Sequence, residues 1–183
     1  MTRKPGRTDG IAVVFTRPSD LYGEARWDEW YDEVHLPDTA AASGAWVVTR
    51  WEVADRPPGA SPPVGFTHLA LYEFDDVARG GPALLDHLDR SRAGGLLHPV
   101  HTISAADVLV AAAGWPGRLE PRASVTGQVV AYVGPNDPAL DATWNEWLAA
   151  VHIPDILASG GFVDASRVPA DAGPLRAELP HGL

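Results

Sequence analysis

Trp27-Asp28-Glu29-Trp30-Tyr31-Asp32-Glu33-Val34-His35-Leu36-Pro37-Asp38 returns 117 residues later as Trp144-Asn145-Glu146-Trp147-Leu148-Ala149-Ala150-Val151-His152-Ile153-Pro154-Asp155. The match holds without a gap from about Ile11 to Arg50. Val13 falls on Val130, Pro18 on Pro135, Asp20 on Asp137, Gly44 on Gly161 and Arg50 on Arg167. An ungapped self-match at one offset marks an internal repeat. One structural unit is used twice, and both copies keep the phrase W-x-x-W-x-x-x-x-H-x-P-D.

Working outward, the first copy reads strand, helix, strand, strand, helix, strand. Ile11–Phe15 is a short apolar run suited to a buried strand. Asp20 offers a helix N-cap, and the helical pattern runs through Trp27, Trp30, Tyr31 and Val34. Ala45–Val53 alternates, with Trp46, Val48, Arg50 and Glu52 on one face, and so predicts a second strand. A Pro/Gly-rich turn over 56–65 follows. A strand at His68–Phe74, a helix at Pro82–Ser91 and a strand near Ala106–Ala112 complete the unit. This βαββαβ order is the split-βαβ, ferredoxin-like plan: an α+β fold with an antiparallel four-stranded sheet and two helices on one face.

Gly114–Pro121 reads as a linker between a first repeat over 10–116 and a partial second repeat over 124–183. The second repeat offers a strand at Gln128–Val133, an Asp137 cap followed by Pro138, a helix at Ala142–Val151 and a strand at Gly161–Arg167. Only 16 residues remain after that, so the second copy stops half way. Its missing strands must come from another chain or from the first copy, or be done without.

The 183 residues suit one compact domain or two small ones. The formal net charge of −10 argues against a nucleic-acid or anionic-membrane partner. With no cysteine, disulfides, thiolate nucleophiles and Cys-bound metals are excluded. The charged start, Met1–Gly10, has no apolar core of a secretory signal, and no run approaches a membrane span. A soluble cytoplasmic protein is expected.

On a straight helix, Trp27, Trp30, Tyr31 and Val34 share one face, as do Trp144, Trp147, Leu148 and Val151. They are either core residues or one wall of an aromatic-lined cavity. His35 and His152 each follow that face, with a proline two residues on. Such a proline should kink or end the helix. A histidine left at a helix end and a cavity rim suits general acid–base work, because imidazole titrates near neutrality. A structural histidine bonded to backbone is the other reading, and its presence in both copies favours that one slightly.

The phrase Trp30-Tyr31-Asp32-Glu33-Val34-His35-Leu36-Pro37-Asp38, with Gly44 before a strand, resembles the first-helix signature of the EthD-like group in the dimeric α+β-barrel superfamily. The likeness covers Ile11 to Ala112 and part of Gln128 to Arg167. It implies two ferredoxin-like units whose sheets close a barrel around a hydrophobic cavity, within one chain or in a homodimer. Activities in that superfamily include polyketide cyclases and aromatases, cofactor-independent monooxygenases, muconolactone isomerases and haem-dependent peroxidases, and fold alone does not choose among them.

Other candidates are weaker. His98-Pro99-Val100-His101 has an H-x-x-H spacing, but nothing nearby completes a metal motif. His98 or His101 lining the cavity fits better than a metal site, and His68, His98 and His101 are the candidates for a haem ligand. No phosphate-cradling glycine loop or nucleophile elbow is present. The expectation is a cofactor-independent enzyme, with no metal, acting on a small hydrophobic or aromatic, polyketide-like molecule by cyclisation, dehydration or isomerisation. His35 and His152 would carry proton transfer. Trp27, Trp30, Tyr31, Arg50, Tyr72 and His98 would contact substrate, with Arg50 or Tyr72 holding a developing enolate. A non-catalytic small-ligand binder and an oxidation of a phenolic substrate, with or without haem, are the rivals.

Overall fold

The computed structural model describes residues 8–19, 24–53, 65–99, 101–110, 126–131, 133–162 and 165. The chain divides into two compact units, Met1–Gly117 with Val168–Leu183, and Arg118–Arg167. Asp20, most of the turn over 56–65, the linker and most of the strand expected at Gly161–Arg167 lie outside the described residues.

In the first unit, β1 (Gly10–Pro18) leads to α1 (Glu24–Trp30), one π turn (Tyr31–His35) and α2 (Leu36–Ser43). Then come β2 (Val47–Glu52), β3 (His68–Phe74), α3 (Val77–Ala93) and β4 (His101–Val110). The four strands form one antiparallel sheet in the order β2-β3-β1-β4. Helical and sheet layers are therefore packed into an α+β fold.

Strand alternation sorts the side chains by face. Ala12 and Val14 of β1, Ala70, Tyr72 and Phe74 of β3 and Val48 of β2 pack with Trp27, Tyr31, Val77, Leu84 and Leu88 of the helices. Ile11, Val13, Leu69 and Leu71 form a second buried cluster on the opposite face, against Phe15 and Trp51. Burial on both faces explains why β1 and β3 read as unbroken apolar runs.

Three boundaries in the first unit differ from the sequence expectation by five residues or more. The helix over Trp27–Val34 does not end before Pro37. Its turn widens instead, so that the Leu36 N–H bonds to the Tyr31 carbonyl five residues back, and it continues as α2. The widened turn relieves the clash a proline ring would make with the carbonyl four residues before it. α2 stops at Gly44, whose φ of 71° is the left-handed conformation favoured by glycine at a helix end.

α3 begins five residues before the expected Pro82. Asp76 caps it by accepting the Arg79 N–H, Asp9 accepts the Val77 N–H at 2.7 Å, and Pro82 lies inside the helix. These two acceptors satisfy first-turn donors and outweigh the bond that Pro82 cannot make. β4 likewise starts at His101, earlier than its apolar stretch, because it pairs with Pro18, Arg17 and Thr16 of β1.

In the second unit, Asp137 accepts the Ala139 N–H at 2.9 Å and opens a 3₁₀ turn, Pro138–Leu140. α4 (Asp141–Trp147), a second π turn (Leu148–His152) and α5 (Ile153–Ala158) follow. The repeat thus reproduces the helix–π–helix rod in both units. The described residues of Gln128–Val133 form no strand; a strand exists only through a paired neighbour, and none of the described residues pairs with them.

Gly80 packs on Phe74 so closely that a Cβ there would lie 2.2 Å from the ring. Gly80→Ala should cost about 1–3 kcal/mol through overpacking, read as a lower urea midpoint with an unchanged m value.

Candidate functional site

The π turn decides which side chains face inward. Trp27, Tyr31, His35, Thr39 and Ser43 recur at every fourth position, and all are buried. A straight α-helix drifts about 40° over four residues, so five such positions would spiral off the sheet. The extra residue in the π turn takes back that drift. Val34, placed by the straight-helix reading on the buried face, is 47% exposed for the same reason, and Val151 is 44% exposed in the second unit.

His35 stacks on Trp30, with ring centroids 4.9 Å apart and planes at 23°. Its ring is also 4.9 Å from Tyr31 and 5.3 Å from His101. It makes no hydrogen bond among the described residues. It lines a small cleft of about 50 Å³ between the π turn and α3, together with Trp30, Val34, His87, Ser91 and Leu97. Burial, with His87 adding a like charge nearby, lowers its pKa from 6.5 to about 4.

His101 stands at the start of β4 beside the same rings, 5.3 Å from Trp30 and 5.6 Å from Tyr31. Its Nδ1 accepts the Trp27 indole N–H at 3.1 Å. Burial, then the neighbouring His35 and Arg92, push its pKa down to about 3. His98 is 5.6 Å from Trp30. The H-x-x-H pair therefore does converge on one site, around Trp30.

Arg50 and Tyr72 lie on the helix-facing side of the sheet. The Arg50 guanidinium bonds Asp28 and reaches Asp32 at 3.0 Å. It also covers the Tyr31 and Trp27 rings at 4.5 and 4.9 Å. These partners hold Arg50 within the protein's own framework. His68 sits under the same group, with Nδ1 2.8 Å from the Thr67 hydroxyl and Nε2 3.6 Å from Asp28. Its pKa is lowered by burial and then by Arg50.

Tyr31 and Tyr72 are fully buried, and desolvation raises both phenols, Tyr31 to about 12. The hydroxyls of Thr16, Tyr31, Tyr72 and Thr39 are close enough to act on one another's ionisation. Those of Thr16, Tyr31 and Thr39 nonetheless close no hydrogen bond of good geometry.

In the second unit, His152 stacks on Trp147 at 4.9 Å and 20°, reproducing the Trp30–His35 pair. Its surroundings differ: Leu148 replaces Tyr31, and His152 is half-buried. The structure thus brings Trp27, Trp30, Tyr31, His35 and His98 together in the first unit and leaves His152 in the second.

His101 was the weakly marked member of this group. Its only sequence signal was the H-x-x-H spacing, whereas its partner Trp27 is 74 residues away. Among the described residues no group of three or more His, Asp or Glu side chains is placed to hold a metal ion, and no helix is long and apolar enough to cross a membrane. No protein family, curated protein or solved structure matches the chain.

Both buried histidines bind protons more weakly folded than unfolded. The unfolded chain therefore takes up more protons below pH 6.5, and stability falls as pH drops from about 6.5 toward their folded values. Between pH 7 and 5 each should cost about 2 kcal/mol. Denaturant titrations should show that loss shrinking by about that amount in His35→Gln.

Proposed function

We propose that the chain is a cofactor-independent enzyme acting on a small hydrophobic or aromatic, polyketide-like molecule by acid–base chemistry, in a cyclisation, dehydration or isomerisation. The observation that carries this reading is His35: a buried imidazole, neutral at pH 7, without a hydrogen-bond partner among the described residues, at the end of a cleft. An imidazole in that state has a lone pair able to take a proton, although burial makes it a weaker base than a free imidazole. Its lowered pKa makes it take the proton only as negative charge develops on an adjacent substrate, whose oxygen then balances the imidazolium. The stacked Trp30 gives the flat face that an aromatic ligand favours.

The element order and the strand order β2-β3-β1-β4 support a ferredoxin-like unit of the dimeric α+β-barrel type and the EthD-like likeness. The matching helix–π–helix rods support a partial second copy. A homodimer in which neighbouring chains complete the half-copy goes with this reading, as does a soluble, cytoplasmic setting. A non-catalytic small-ligand binder is the second reading. It is favoured by the Trp147–His152 stack, where the same geometry occurs without the buried ring cluster and serves the helix.

Turnover of a panel of small aryl β-diketones, followed by mass spectrometry, separates the two. His35→Ala should lose 100-fold or more in rate, the range of a general base, with ligand affinity within about threefold of the parent. Unchanged turnover in both His35→Ala and His152→Ala would rule out the histidine mechanism. No turnover of any panel member alongside tight binding would favour the binder.

A further inference from the structure

A tryptophan indole N–H only donates. Because it points at His101 Nδ1 from 3.1 Å, that nitrogen carries a lone pair and no proton. A protonated His101 would set two N–H groups against each other, and burial independently disfavours the cation. Neutral His101 must therefore carry its single proton on Nε2. That atom is buried and has no hydrogen-bond partner among the described residues. The Tyr31 hydroxyl, on a fully buried side chain in the same ring cluster, lies near those of Thr16 and Tyr72 but closes no hydrogen bond of good geometry among the described residues. A buried donor without an acceptor is costly to a fold, and nothing in the described residues uses this N–H.

We infer that His101 is the oxygen-binding residue of this site, its neutral Nε2–H donating to the carbonyl or phenolic oxygen of a flat aromatic ligand. The rings of Trp30, Tyr31 and His35, all within 5.6 Å of His101, supply the aromatic surroundings. The inference rests on reading this cluster as a ligand site. It narrows the substrate class to aryl ketones with an acidic C–H beside the carbonyl. In the step it implies, the C–H bond breaks and its proton goes to the free nitrogen of His35. The electron pair forms the C=C bond, and the resulting enolate oxygen is held by the His101 N–H. A neutral imidazole can fill this role, as an N–H fixed in place before the charge develops.

Long-range ¹H–¹⁵N spectra of the labelled protein read the tautomer directly. His101 should hold the Nε2–H form from pH 5 to 8. Phenol, the probe with an oxygen, should bind about tenfold more tightly than its isostere toluene, the worth of one hydrogen bond, and should move the His101 Nε2–H resonance. His101→Phe should abolish that preference, while His35→Ala should keep it. An Nδ1–H tautomer, or a phenol affinity no greater than that of toluene, would overturn the assignment. The wild-type spectra and the probe pair decide it even if His101→Phe does not fold. A phenol preference without turnover of any ketone would leave the donor standing and remove the enzyme reading. Turnover without that preference would do the reverse.

Discussion

The hydrogen bond from the Leu36 N–H to the Tyr31 carbonyl spans five residues instead of four, and the arrangement of the first unit follows from it. One additional residue in that turn accommodates Pro37 and keeps Trp27, Tyr31, His35, Thr39 and Ser43 on a single inward line. Without it the rod would turn away from the sheet, and His35 would leave the cluster of rings. π turns recur at functional positions because they aim a side chain that a regular helix would misdirect. Here the aimed side chain is a histidine. The second unit repeats the turn under Pro154, which ties the feature to the shared phrase and not to one local environment.

Trp27 is the hub under that turn. Its ring meets Tyr31 at 5.2 Å, His68 at 4.8 Å and the Arg50 guanidinium at 4.9 Å, while its N–H is spent on His101. One side of the cluster is held by ion pairs, although the Arg50 Nε keeps no hydrogen-bond partner among the described residues. Arg50 is neutralised by Asp28 and Asp32 and fixes the helix to β2. Across the same rings, His35 and His101 keep nitrogen atoms without partners.

Much of the fold was legible in the residues. β3 begins and ends where its apolar run does, and the Asp137–Pro138 cap opens its helix as expected. Two misjudged boundaries share one cause: a distant partner overrode a local rule. Asp9 helps start α3 ahead of Pro82, and pairing with β1 starts β4 at His101. Val34 fell on the wrong face because straight-helix geometry takes no account of an inserted residue. In the site, Trp27, Trp30, Tyr31 and His35 were visible as one short phrase on one helix. His101 was not, because its role is conferred by an indole far away in sequence.

The sequence by itself determined that one phrase occurs twice, that each occurrence is an aromatic helical stretch carrying His-x-Pro, and that the apolar runs of the first half make a sheet. These are local matters of periodicity and covalent geometry. Only the tertiary structure decided that the proline widens the helix, that Arg50 is taken up by Asp28 and Asp32, and that His101 keeps its proton on Nε2. Each of those depends on which groups from separate elements meet out of water. A hydrogen bond's direction and a histidine's charge are settled by such meetings, not by the order of residues along the chain.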